Sequence, residues 1–140
     1  MKTFQQQRAH HALTQIRQLN NRLTHNDEQQ RDKERGEFRA HVRNLPAMIH
    51  TNGLGQSIAF YYSKRKKISY QALCDILADW LLGEGGIYSC APRNAENLLV
   101  AITAGDMYHY LNAQAEALVY LEWAKKFAEA LIEQTEASDA

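Results

Sequence analysis

Apolar residues recur three or four positions apart along most of this chain, and that spacing restricts the folds it can adopt. It matches the 3.6-residue turn of an α-helix and gathers the apolar side chains on one face of each segment. The stretch 4–23 carries one clean stripe of this kind, and a second stripe follows Ser69. No segment shows the strict alternation of a half-buried strand. The chain is therefore predicted to be all-α.

Capping and breaking residues divide the chain into five to six helices, the last of them long. Pro46 is assigned to the first turn of a short helix, where its missing N–H costs nothing. Together the helices are expected to form one compact bundle over residues 1–140, with a frayed tail at about 134–140. The expected boundaries are a first helix over 4–23, a cap at Asn26-Asp27, a third helix from Leu54 to about Lys66, a cap at Ser69 with a stop at Gly83, a cap at Asn94, and a last helix over about 106–134.

Composition narrows the class of protein. No apolar run approaches the roughly 18 residues of a membrane-spanning helix, and the N-terminal stretch lacks the apolar centre of a secretory signal. Cys74 and Cys90 have neither the spacing of a zinc site nor that of a disulfide framework. We expect a reduced, cytoplasmic protein with no membrane contact.

The formal net charge of zero conceals two oppositely charged halves. Residues 1–70 carry a net +8 and residues 71–140 a net −8. The basic half could meet phosphate, and the acidic half could meet the basic surface of another subunit. Identical copies could also stack head to tail, basic end on acidic end. Alternatively, folding interleaves the two halves and little charge separation remains.

Four arginines lie four residues apart within the expected second helix. A helix would place them in a slowly drifting row with about 6 Å between successive positions, which suits the spaced phosphates of a nucleic acid. The alternative is a solvated face with local ion pairs. Arg39 and Arg43 have no acidic residue three or four positions away, so we expect their partners outside the helix. The candidate RNA-binding residues of this row are Arg31, Arg35, Arg39 and Arg43.

Four consecutive cations follow the expected third helix and are flanked by aromatic residues. Cations can bind phosphates, and the rings of Tyr61, Tyr62 and Tyr70 could stack on bases. The alternative is a buried tyrosine beside a solvated helix end, where positive charge is favourable anyway. We expect contacts with the nucleic-acid backbone rather than sequence-specific reading of bases. The candidate RNA-binding residues of this run are Lys64, Arg65, Lys66 and Lys67.

Catalytic chemistry finds no support in the sequence. The histidines form no HExxH pattern, the cysteines form no CxxC pair, and no acidic pair lies in an obvious apolar setting. His10, His11, His41 and His50 are assigned to the surface or to helix caps. We therefore expect no catalytic residues, no cofactor and no metal site.

Two sequence blocks resemble a known family. LPAMIHTNGLGQSIAFYYSK at 45–64 and EALVYLEWAKKFAEA at 116–130 are similar to the signature and the last helix of the small, all-helical subunit of the Cmr complex, the type III-B CRISPR RNA-silencing effector. The resemblance implies a non-catalytic helical bundle whose copies stack as a short filament beside the subunits that carry guide RNA. Target RNA would lie in the groove between them. The partners implied are other Cmr subunits, further copies of this chain, and the backbone of guide or target RNA.

The same resemblance implies a structural and subunit-contact role for four residues of the first block. The two glycines would allow a tight corner, and the two amides would bond to exposed helix-end groups. His50 departs from the pattern, since Arg or Lys is expected there and His is largely neutral at pH 7. The four residues are Asn52, Gly53, Gly55 and Gln56.

The sequence thus predicts a subunit that supports RNA through a basic face built from the second and third helices. One alternative is a helical protein–protein adaptor without RNA contact, and another is a small hydrolase or nuclease with a concealed site. No heptad pattern is long enough for a coiled coil, so the isolated chain is expected to be a monomer.

Overall fold

The structure is a computed structural model that describes residues 1–24, 26–84 and 86–133. Within these ranges the chain forms six α-helices and no strand, which confirms the all-α prediction. The predicted fraying of 134–140 concerns residues outside the described part. The helices are α1 (Phe4–Arg22), α2 (Glu28–Asn52), α3 (Leu54–Ser63), α4 (Ile68–Leu81), α5 (Ala95–Ala104) and α6 (Met107–Leu131).

Helix α4 forms the centre of the bundle. Nine of its fourteen residues are buried, whereas α1 buries three of nineteen. Helices α1, α2, α3, α5 and α6 all pack against it. The core around it includes Trp80, Tyr120 and Phe38, all fully buried. A helix that is apolar on most sides must be enclosed by others, and the central position of α4 satisfies that requirement.

Short polar side chains begin several helices, and the sequence predicted two of these caps, Asp27 and Asn94. Asp27 accepts a hydrogen bond from the backbone N–H of Gln29 at 3.0 Å and begins α2. Asn94 begins α5 by accepting from Asn97 N–H at 2.8 Å. Asp106 begins α6 in the same way. Each cap satisfies an N–H that has no partner inside its own helix.

Three predictions about helix ends are wrong. Pro46 does not begin a short helix, because α2 runs unbroken from Glu28 to Asn52 with Pro46 inside it. Leu45 and Ile49 on either side are fully buried. Their packing stabilises a helical turn that the proline alone would disfavour.

Ser69 is not the cap of α4. Lys67 occupies that position, and Ser69 lies buried in the first turn. Its hydroxyl donates to the Glu37 carboxylate of α2 at 3.2 Å. The third helix likewise ends at Ser63 rather than near Lys66. The four cations therefore occupy the α3–α4 connection instead of extending a helix.

Candidate nucleic-acid interface

The α3–α4 connection presents the four-cation run to solvent. Lys64, Arg65, Lys66 and Lys67 are all exposed. Lys64 follows the C-terminal end of α3, where a cation is favourable, but Lys67 caps the N-terminal end of α4, where a cation opposes the helix dipole. An anion bound at this turn would relieve that opposition.

The N-terminal part of α2 adds a further cation to the turn. Lys33 and two of the turn lysines share one pocket of about 220 Å³. We call Lys33, Lys64, Arg65, Lys66 and Lys67 the lysine surface. Glu34 and Glu37 line the same pocket and balance part of its charge. The pocket is lined by Gln30, Lys33, Glu34, Glu37, Lys66, Lys67, Ile68 and Ser69.

Sequence reasoning missed Lys33. It lies more than thirty positions from the turn, and its neighbours within α2 include both acids and bases. The contact depends on how α2 packs against α4, so no local pattern could identify it.

The three tyrosines beside the cation run have different environments. Tyr61 is 3 % exposed, and its burial raises the pKa of the phenol to about 12. Tyr62 is half-buried, and the Arg65 guanidinium lies over its ring at 4.4 Å. Tyr70 is half-buried and lines a second pocket, of about 240 Å³, next to the lysines. The alternative of a buried tyrosine thus holds for Tyr61.

Arg35 and Arg39 of the arginine row lie on a different flank of α2 from the lysine surface. Glu37 borders the lysine pocket, and Arg39, two residues later, is about 160° away around the helix. Arg39 does find its partner outside α2, but within the fold: its Nη1 donates to Ile132 O at 3.2 Å. The buried Nε atoms of Arg35 and Arg39 have no hydrogen-bond partner among the described residues. Arg43 is exposed.

These positions separate the eight candidate cations into two groups. The lysine surface is open to solvent on one side of α2, and the half-buried Arg39 contacts Ile132, at the end of α6, on another. The core face of α2 lies between the lysine surface and Arg39. Phe38, Val42, Leu45 and Ile49 form that core face.

The corner that joins α2 to α3 is held by residues of α6. Gly53 adopts a positive φ of 87°, which glycine tolerates best. The N–H groups of Leu54 and Gly55 donate to Gln114 Oε1 at 3.0 Å and to Tyr110 Oη at 3.2 Å. The N–H groups at the start of α3 are thus bonded by Gln114 and Tyr110 of α6 rather than by Asn52 or Gln56.

Asn52 and Gln56 are exposed and contribute to a surface pocket of about 600 Å³ between α3 and α5. Large apolar side chains are exposed on α3 and α6, including Phe60 at 45 % and Leu111 at 54 %. We call this pocket the corner pocket. It is lined by Asn52, Gly55, Gln56, Ala59, Leu99, Ile102, Thr103 and Tyr110.

A sequence profile of the family described as CRISPR-associated protein (Cas_Cmr5) matches residues 4–131. The chain belongs to the Cmr5 family. It is similar to the CRISPR system Cmr subunit Cmr5 of Thermus thermophilus, with 35% identity over 100 residues, 71% of this chain and 79% of that protein. It is also similar to the crystal structure of a CRISPR-associated Cmr5 family protein from the same species, with a TM-score of 0.70 and 29% identity over 94% of this chain and 100% of that one.

The Cmr5 match confirms the resemblance seen in the two sequence blocks. The structural match covers all of the Thermus chain, so the bundle described above shares the fold of that Cmr5 family protein. Both the lysine surface and the corner pocket lie within the matched range 4–131.

A second polar cluster joins α1, α4 and α6, and no sequence motif had indicated it. His11 contacts Tyr120 Oη at 2.7 Å and Asp79 Oδ2 at 2.6 Å. Burial, followed by the nearby Asp79 carboxylate, raises the pKa of Tyr120 well above its ordinary value. His11 is 11% exposed at its side chain, so its assignment to the surface is wrong. The sequence feature that could have indicated this cluster is the position of Arg8 and His11, three residues apart beside the apolar stripe of α1.

Glu116 anchors the other half of this cluster. Its carboxylate accepts from Arg8 Nε at 2.5 Å, from Arg8 Nη2 at 2.9 Å and from Trp80 Nε1 at 2.9 Å. Asp79 lies twelve residues along α4 from Lys67, about 18 Å away. The cluster is therefore distant from the lysine surface and serves the packing of the bundle.

Metal-binding and membrane-spanning features are absent from residues 1–24, 26–84 and 86–133. No group of three or more His, Cys, Asp or Glu side chains in these ranges could hold a metal ion. Of the helices described, none is long and apolar enough to cross a membrane.

Proposed function

We propose that this Cmr5-family chain is a non-catalytic structural subunit of a type III-B Cmr CRISPR complex, active in antiviral defence in the cytoplasm. It supports guide or target RNA through the lysine surface and binds neighbouring subunits, including further copies of itself, in a short filament. The observation that carries the proposal is the exposure of five cations around one turn in a member of this family.

The lysine surface has the properties of a site for RNA backbone. Its cations are exposed and close together on long side chains, so each can follow a phosphate without a fixed geometry. Glu34 and Glu37 lower the net charge of the pocket, which favours modest affinity per copy. Several copies held in register would multiply such weak contacts.

The lysine surface is tested by a charge-matched pair of variants. Lys66→Ala with Lys67→Ala should weaken binding of a single-stranded RNA and flatten the dependence of log K on log salt by about 0.7 for each phosphate that the variant no longer binds. The control is Lys125→Ala with Lys126→Ala, which removes the same charge from α6. Fluorescence anisotropy across a salt series measures both.

Equal losses of affinity in the two variants would mean that net charge, rather than the lysine surface, drives binding. Unchanged affinity in Lys66→Ala with Lys67→Ala would remove the turn from the RNA site. Arg43→Ala extends the test to the exposed end of the arginine row. Arg31, Arg35 and Arg39 are proposed as secondary contacts, because half-burial restricts their reach.

The corner pocket is proposed as the subunit contact. Its amides and apolar lining suit the side chains of another protein better than they suit phosphate. Phe60 and Leu111, which follow the lining residues Ala59 and Tyr110 in sequence, are also exposed. Ala59→Arg would fill the pocket with a charged side chain. We expect this variant to be lost from the complex when it is co-expressed with the other Cmr subunits.

The control for that experiment is Ala130→Arg, at an exposed position of α6 outside the corner pocket. Recovery of Ala130→Arg but not Ala59→Arg in a purified complex supports the assignment. Recovery of both would place the subunit contact elsewhere on the surface.

The second candidate is a helical adaptor without RNA contact. The exposed apolar side chains of α5 and α6, including Val100, Met107 and Tyr108, favour it. A complex that assembles normally and binds RNA equally well without the lysine cations would support the adaptor.

A further inference from the structure

The second pocket of the lysine surface combines cations with an aromatic ring. It has a volume of about 240 Å³, far more than one water molecule needs. Phosphate alone would not require a ring there, because ammonium groups suffice to hold it. The pocket is lined by Ser63, Lys64, Lys66, Lys67 and Tyr70.

The ring of Tyr70 is held in place from within the fold. The His41 imidazole packs against it at a centroid distance of 3.9 Å and an interplanar angle of 32°. Tyr61 meets it edge-on at 5.1 Å and 79°. His41 and Tyr61 do not line the pocket, so the surface that Tyr70 offers there is one that they leave uncovered.

The neighbouring rings are less suited to receive a ligand. Tyr61 is buried, and Tyr62 has the Arg65 guanidinium over its face. Lys64 Nζ lies 5.3 Å from the centre of the Phe60 ring. Tyr70 therefore combines a fixed orientation, partial exposure and adjacent lysines.

We propose that this pocket receives an unstacked nucleobase of single-stranded RNA, which packs on Tyr70 while the adjoining phosphates bind Lys64, Lys66 and Lys67. The inference rests on the proposed RNA-supporting function and adds a base contact to it. Stacking tolerates every base, because each has a π-face, so the site distinguishes RNA that carries bases from a bare sugar–phosphate chain but not one sequence from another.

The test compares two RNAs of equal length and charge, one with all its bases and one with abasic positions. The full chain should bind the base-containing RNA at least roughly fivefold more tightly. Tyr70→Leu should reduce that ratio to about one and leave the salt dependence unchanged. Tyr70→Phe should keep the ratio, and Tyr108→Leu, at a tyrosine 72% exposed on α6, is the matched control.

Crosslinking gives a second measurement that needs no variant to fold. Irradiation of RNA containing 4-thiouridine with the unaltered chain should attach it at Tyr70, within the tryptic peptide 68–93. Tyr61 and Tyr62 lie in a different tryptic peptide, 44–64. Crosslinks confined to 44–64 would overturn the assignment to Tyr70.

The outcomes separate the base pocket from the function on which it rests. Equal affinity for both RNAs, with weakening of both by Lys66→Ala and Lys67→Ala, would refute the base pocket and leave phosphate binding intact. Binding of neither RNA at low salt would refute both. A base-dependent ratio that Tyr70→Leu does not change would place the stacking ring elsewhere.

Discussion

A single residue affects the stability of this bundle most where few other residue types can adopt its backbone conformation. Gly53 is the clearest example, since it joins two helices at a φ of 87°. An added Cβ there would approach the Tyr110 hydroxyl to 2.9 Å. Conformation and space thus both favour glycine, in agreement with the tight corner expected at Gly53 from the sequence.

We expect Gly53→Ala to lower the free energy of unfolding by about 1–3 kcal/mol, through backbone strain and displacement of Tyr110. Gly36→Ala is the control, because Gly36 lies inside α2 and alanine is the better helix former by about 1 kcal/mol. Urea denaturation should show opposite signs for the two variants. A stable Gly53→Ala would mean that the corner can relax into another turn.

The start of α3 is stabilised by hydrogen bonds to residues of another helix. The first turn of α3 has no side-chain cap of its own, because its N-cap is Gly53. Gln114 and Tyr110 of α6 supply the acceptors for the N–H groups of Leu54 and Gly55. The start of α3 is therefore fixed by tertiary contact rather than by a local cap.

Removal of these acceptors should loosen α3 at its start. Gln114→Ala and Tyr110→Phe are each expected to cost about 1 kcal/mol, the usual value of a lost cap or hydrogen bond. Asn112→Ala, at an exposed position of the same helix, should cost little. Hydrogen exchange at Leu54 and Gly55 should quicken in the first two variants alone. Equal protection in all three would point to another acceptor.

Across the whole molecule, the basic and acidic halves of the sequence meet in the Arg8–Glu116 pair. The two side chains are only 14% and 11% exposed, and Glu116 also accepts from Trp80. The hydrogen bond to Glu116 is the main reason that the pKa of Arg8 is raised. Loss of Arg8 would leave the Glu116 carboxylate largely buried without its cationic partner. Loss of Glu116 would leave Arg8 and the Trp80 N–H without their acceptor.

A double-mutant cycle should show this coupling. Arg8→Ala and Glu116→Ala are each expected to destabilise the bundle by about 2–4 kcal/mol, with Glu116→Ala the more costly because Trp80 also loses its acceptor. The double variant should cost less than the sum of the single variants. Thermal unfolding at fixed pH measures all three. Additive losses would contradict a direct pairing.

The sequence by itself determined the fold class, most helix boundaries and the caps at Asp27 and Asn94, because 3.6-residue periodicity and capping are local properties. It also carried the motifs that indicated the Cmr5 family. The sequence misplaced Pro46, because the tendency of proline to begin or end a helix is only a local preference. The burial of Leu45 and Ile49 overrode that preference.

The tertiary structure decided which side chains meet. It added Lys33 to the turn lysines, placed Arg39 on another flank of α2, and brought His11 to Asp79 and Tyr120. It also separated Tyr70 from its buried neighbour Tyr61. These arrangements depend on the relative positions of helices that are distant in sequence, and spacing along the chain does not encode those positions.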